Sequence, residues 1–334
     1  MQLESSKAST TPQPPRIAVV GRALAGCAPQ LDRAVLDGND LSIALKKSPQ
    51  NNCAKAWVPF YLRVDAAANA IAPLPPGQVY RIRVYSTDHG TTSLLAFALL
   101  DANTANAAPT PESGLWWSEA STDTGAASAG NGASIELQDG RLAVSLLGFG
   151  ETGAATWYFG TAQPKGRVAR VPLLQLANGD PPFAPLGNQP SAQPGPRIEL
   201  EFLSPSRARA YLVRNDGGRD VEVRALTLSR SRFANGPVSA NWTGQWVLVP
   251  DDGGAPRSFE FAAAGSQDSE NFHLTDATGD ARLDCRLENG TDHPDLCTLS
   301  AAAAVLADFD QVGLDHLAGR TSGGARVTLM RVPR

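Results

Sequence analysis

Short runs in which apolar and polar residues alternate, separated by glycine and proline turns, predict an all-β protein built from several domains. Three observations carry this expectation. The chain has 334 residues, too many for one small core at roughly 150 residues per domain. It holds 31 Gly and 25 Pro, a surplus over average usage that implies many turns. The alternation has a period of two, which sends successive side chains to opposite faces of a strand.

Residues 1–15 are polar and proline-punctuated and read as a disordered tail. Residues 16–100 read as strands at 17–20, 41–45, 58–64, 79–85 and 93–99, with breaks at Asp37-Gly38, 73–77 and 88–90. In VYRIRVYS, Tyr80, Ile82 and Val84 alternate with Arg81 and Arg83, so one face is wet. With Cys27 and Cys53 in the same segment, the pattern fits a disulfide-linked, immunoglobulin-like sandwich; the usual core tryptophan between the cysteines is missing, and Trp57 follows Cys53 instead. Residues 101–113, DANTANAAPTPES, lack any period and read as a linker.

From Gly114 the pattern changes to hairpins. GASIELQ and RLAVSLLGF flank Asp139-Gly140, and Asp-Gly between two alternating runs is a strong hairpin signal. Further strands follow at 168–176, 197–203, 207–213 and 221–229, around a proline-rich surface loop at 178–196. This segment, 114–234, is expected to be one antiparallel β domain, a meander barrel or a sandwich. A second such domain, 235–334, opens with WTGQW and continues in runs at 258–262, 271–274, 281–287, 296–299 and 326–332. Within it SAAAAVLADF, 300–309, predicts one short helix, because alanine favours helix. Thr152-Gly153-Ala154-Ala155 and Thr278-Gly279-Asp280-Ala281 each precede a strand, and both segments open with tryptophans, which hints at a divergent repeat.

Charge and cysteines bound the function. A net charge of −4 provides no field to gather nucleic acid or anionic lipid, and no run of 18 apolar residues predicts a membrane span. The strand arginines Arg81, Arg83, Arg207, Arg209 and Arg214 are expected on solvated faces. Cys27 and Cys53, and Cys285 and Cys297, form two separated pairs without zinc-ligand spacing; the even count in a turn-rich chain favours two disulfides and an oxidising compartment, periplasmic or extracellular. The first residues carry no basic and apolar export signal, so export implies a signal peptide already removed.

No catalytic or cofactor motif survives inspection, and no cofactor is expected. His89, His273, His293 and His316 are scattered and form no H-x-x-x-H pair for zinc. Ser128 sits in Ala-Ala-Ser-Ala-Gly, without the first glycine or the strand-to-helix context of a nucleophile elbow. Asp308, Asp310 and Asp315 echo a calcium loop that lacks its closing bidentate ligand. Asp251-Asp252-Gly253-Gly254 lacks the lysine of a phosphate loop. Glu199 and Glu201, two apart on one strand face, are the carboxylates on which a hydrolase reading would depend.

The aromatic pairs are the ligand-binding candidates: Trp116 with Trp117, and Trp157 with Tyr158. Neighbours in a strand point to opposite faces, so one of each pair enters the core and the other turns outward. There a sugar ring, a peptide or another loop would cover it. Trp242 and Trp246 straddle a bend at Thr243-Gly244 in the same manner.

GLWW at 114–117, followed by GASIELQDGRLAVSLLGFGETGAATWYFG at 132–160, resembles a recurrent hairpin unit of exported, largely uncharacterised β-rich proteins of Gram-negative bacteria. RIELEFLSPSRARAYLV at 197–213 is similar to its companion strand pair. The resemblance implies an exported antiparallel β domain and carries no catalytic residues. The expected function is therefore non-catalytic recognition or assembly at the cell envelope or outside the cell, with a protein or glycan partner. A glycan- or peptide-binding module and a carboxylate-dependent hydrolase are the alternatives.

Overall fold

The computed structural model describes residues 2–5, 17–50, 52–64, 74–75, 77–88, 91–102, 108–119, 131–150, 153–180, 183, 185, 187–231, 237–288 and 291–332. The first unit contains β1 (Gln2–Ser5), β2 (Ile17–Leu24), β3 (Gln30–Asp37), β4 (Asp40–Lys46), β5 (Trp57–Val64), β6 (Val79–Asp88) and β7 (Thr91–Asp101). One sheet runs β1-β2-β5 and the other β3-β4-β6-β7, with β4 and β6 parallel and the other pairs antiparallel. Alternate residues of both sheets, among them Val19, Ile43, Phe60, Ile82 and Val84, meet in one core. Cys27 and Cys53 form a disulfide that ties the loop after β2 to the loop before β5. Residues 2–5, expected within a disordered tail, instead pair with β2 from Gln2↔Val20 to Ser5↔Ile17. Backbone pairing, for which QLES needs no apolar side, overrides the polar composition there.

The second unit is a closed eight-stranded barrel: β8 (Gly114–Ser118), β9 (Gly132–Gln138), β10 (Arg141–Phe149), β11 (Ala155–Ala162), β12 (Val168–Ala177), β13 (Ser191–Ser204), β14 (Arg207–Asp216) and β15 (Arg219–Arg230). Each strand pairs with the next, and β15 closes on β8. The third unit repeats this plan with β16 (Gly244–Pro250), β17 (Arg257–Gln267), β18 (Asn271–Asp276), β19 (Ala281–Leu287), β20 (Pro294–Ala301), β21 (Ala304–Val312), β22 (His316–Thr321) and β23 (Arg326–Arg331), closed by β16 on β23. Period-two strands give each barrel an apolar lumen. Trp116, Ile135, Val171, Leu200 and Phe202 fill the first, and Trp246, Phe261, Phe272, Leu283 and Phe309 the second. Cys285 and Cys297 stand opposite each other on β19 and β20 and form the second disulfide inside that core. Among the described residues no helix is long and apolar enough to cross a membrane.

The helix expected at 300–309 does not form. β20 ends at Ala301, Ala302 and Ala303 turn the chain with φ of 49° and 63°, and β21 begins at Ala304. Alanine's helix propensity is worth only tenths of a kcal/mol per residue, and burying Ala307 and Phe309 on alternate positions inside a closing barrel outweighs it. The only helical element among the described residues is a short 3-10 turn at Val238–Trp242. The Thr-Gly-x-Ala segments lead into the fourth strand of each barrel, β11 and β19.

Side chains join the three units. β7 is an edge strand, and its free backbone groups meet the outside of the first barrel. Asp220 accepts from Phe97 N–H at 2.7 Å, while Arg170 and Arg197 donate to the Phe97 carbonyl at 3.2 and 3.0 Å. Phe97 packs on Tyr211 at 5.2 Å between ring centres. An exposed edge would invite pairing with another chain, and here the barrel covers it. Between the barrels, the buried carboxylate of Glu112 accepts from the backbone N–H groups of Leu314, Asp315 and His316 at 3.0, 2.7 and 3.1 Å. Arg230 pairs with Glu112 and with Asp315.

The strand arginines correct the sequence reading. Arg81 and Arg83 pair with Asp40, Arg209 with Glu201, and Arg207 with Glu119 and with Glu288 of the second barrel. Arg81, Arg83 and Arg207 are largely covered; Arg209 and Arg214 remain exposed, as the sequence leads one to expect. Where Arg81, Arg83 and Arg207 are covered, a face that looks wet in a single strand meets neighbouring structure.

Candidate functional site

The aromatic pairs divide between the faces of their strands. Trp116 is 0% exposed in the first barrel's core, edge-on to Phe202, and its indole N–H donates to the Glu112 carbonyl at 3.1 Å. Tyr158 packs against the same core. Trp116 is thus closed off inside the barrel, while Tyr158 is half-buried on the lumen side of its strand. Trp117 and Trp157 point outward and are 41% and 46% exposed. Trp242 and Trp246 are both buried, so the second bend presents no outward indole.

Register places the two outward tryptophans in one row. Trp117 opposes Gly132 on β9, Gly132 opposes Leu147 on β10, and Leu147 opposes Trp157 on β11. The adjacent row on the same face runs Leu115, Ser134, Ser145, Phe159 and Leu174. Leu147, Phe149, Phe159, Leu174 and Leu176 are exposed with the tryptophans, so an apolar face extends over β8–β12. No charged residue occupies either row.

Gly132 shapes this face. A Cβ there would lie 2.7 Å from Cζ3 of Trp117 and 2.9 Å from the Trp116 carbonyl oxygen, so the Trp117 ring lies directly over bare backbone. The absence of a side chain at Gly132 thereby lets the indole settle close against the sheet while it stays partly exposed. Large outward apolar residues at alternate positions are detectable in sequence. LLGF and WYF are apolar at consecutive positions, where a strand with one wet face would alternate. The sequence reading kept Trp117 and Trp157 and missed Leu147, Phe149, Phe159 and Leu174, because single strands do not reveal which neighbours they meet.

The other candidate chemistry is committed to structure. Glu199 and Glu201 do share the outer face of β13, yet both are buried. Glu199 accepts from Arg170 at 2.7 Å and Arg197 at 2.9 Å, and Glu201 lies 3.5 Å from Arg209. Burial pushes the Glu201 carboxyl above its usual range despite the nearby arginines. Asp308 accepts from Thr298 at 2.6 Å, and Asp315 belongs to the barrel contact. His293 faces Glu119 and His316 faces Glu112, both between the barrels. Ser128 and His89 lie outside the described residues.

No protein-family model and no curated protein matches the chain.

Proposed function

We propose that this chain is a non-catalytic recognition or assembly protein of the cell envelope or extracellular space, and that the outer face of β8–β12 docks another protein. The observation that carries this reading is the uncharged row Trp117, Gly132, Leu147 and Trp157, open to solvent on a barrel whose own lumen is full. Aromatic anchors with depleted charge are the composition of an interface centre, and contiguous exposed apolar faces mark interaction sites. A glycan would need several convergent polar groups to hold its hydroxyls; the rows supply Ser134 and Ser145 alone, which favours a protein. The hydrolase alternative has no comparable support, since Glu199 and Glu201 face the first unit.

Export is supported by the two disulfides and by the resemblance of the Gly-Leu-Trp-Trp unit to exported proteins. The immunoglobulin-like reading of the first unit rests on its two packed sheets and its disulfide, and remains an analogy of fold.

Site-specific photo-crosslinking in the producing cells tests the docking face. A benzophenone side chain at Leu147 should give one adduct that excess wild-type protein competes away and that Trp117→Ser/Trp157→Ser protein does not. The same probe at Val305, an exposed position on the second barrel, should give none. Equal labelling from both positions, or a fluorescence change with glycans that depends on Trp117, would replace the protein-docking reading.

A further inference from the structure

A cleft of about 330 Å³ lies between the first unit and the first barrel, at the low end of the volumes that hold small ligands and in a preferred place for them, a domain junction. Its first-unit wall is apolar and includes Ile82, Ala98 and Leu100; its barrel wall carries Lys165, Arg170 and Glu199. Arg170 and Arg197 both donate to Glu199, and Arg197 also pairs with Asp220, so these two cations and two carboxylates balance and Lys165 is the charge left over. Arg170 gives its Nε to Glu199 and one terminal nitrogen to the Phe97 carbonyl, which leaves further N–H groups on an exposed guanidinium. The Lys165 side chain is exposed and has no acceptor among the described residues. An apolar wall thus faces a lip that carries the unpaired ammonium of Lys165 and the free N–H donors of Arg170.

We propose that this cleft binds a medium-chain monocarboxylate, its hydrocarbon laid along Ile82, Ala98 and Leu100 and its carboxylate on Lys165 and Arg170. Apolar contact supplies the attraction, and the lip selects a carboxylate over a neutral head. A dianion such as a phosphate monoester suits the site less well, because Glu199 stands beside the lip. The site is independent of the docking face on β8–β12.

Titration calorimetry of the full chain with decanoate tests this. Binding should occur below about 1 mM, and decanol should bind at least about tenfold more weakly. Lys165→Glu should weaken decanoate about tenfold while leaving the thermal midpoint unchanged, because Lys165 is exposed and makes no contact that folding needs. Ala98→Trp, which fills the cleft, should abolish binding in a folded variant. Trp117→Ser/Trp157→Ser should leave decanoate affinity intact. The proposal is overturned if decanoate shows no heat, if Lys165→Glu or folded Ala98→Trp binds as well as wild type, or if Trp117→Ser/Trp157→Ser loses binding.

Discussion

Arg331, on the last strand of the second barrel, stands in register with Trp246 on its first strand, with its guanidinium carbon 5.4 Å from the indole centre. It also donates to the carbonyls of Asn241 and Thr243. Arg230 stands opposite Trp116 in the first barrel and donates to the Ser113 carbonyl at 2.9 Å. Both tryptophans follow a glycine by two positions, and both indoles donate to the carbonyl four residues back. The same latch therefore closes both barrels, joining last strand to first where no chain connection does so.

Arg331→Ala should accordingly destabilise the second barrel by roughly 2–3 kcal/mol, since it removes charged hydrogen bonds and a ring contact together. Arg331→Lys should recover little of this, because an ammonium cannot span two carbonyls and the indole as a planar fork does. Urea unfolding followed by tryptophan fluorescence measures both.

Acid should weaken the contact between the barrels. Burial opposes ionisation of Glu119, but hydrogen bonds from His293, Arg207 and Ser229 outweigh it and bring its pKa to about 2. For Glu112, burial is likewise outweighed, by His316, by the Asp315 and Leu314 N–H groups and by Arg230, and its pKa lies below the usual range. Carboxyls held low in the folded state stabilise it fully above their unfolded value; that contribution fades as pH falls through the folded one. For Glu119 the window runs from about 4.5 down to about 2. Urea midpoints should fall across it, and Glu119→Gln should flatten the fall while lowering stability at pH 7.

The turn at Ala302-Ala303 holds two non-glycine residues at positive φ. Asn-Gly is the preferred pair for this hairpin geometry. Ala302→Asn/Ala303→Gly should raise stability by about 1 kcal/mol, read as an increase in thermal midpoint. No change would mean that the alanines bear little strain.

Gly132→Ala tests the docking face without truncating an aromatic. The added methyl displaces the Trp117 ring from its seat, so tryptophan emission should shift and crosslinking from Leu147 should fall severalfold. Gly140→Ala, in an open turn with nothing near its Cβ, should change neither emission nor crosslinking, although its φ of 72° will lower stability.

Local pattern revealed much of this fold. Alternation identified the strand-rich class, Asp139-Gly140 forms the hairpin turn with φ of 47° and 72°, and the spacing of the cysteines matched both disulfides. The errors share one cause. SAAAAVLADF resembles a helix only while its barrel is unseen, and Arg81 or Glu199 looks wet only while the neighbouring unit is unseen. The docking face was half legible. Trp117 and Trp157 stood out as outward indoles, but their meeting across Gly132 and Leu147 depends on the register of four strands.

The order of residues alone determined that strands dominate, that each has two chemically different faces, and that the sulfurs pair within their own regions. Tertiary structure decided that the last two sheets close into barrels, which indoles lie open, and that Glu199 and Glu201 are covered. The physical reason is range: side-chain alternation is set by each residue and its neighbours, whereas Arg230 meets Trp116, and Glu112 meets Leu314, only after distant segments are brought together.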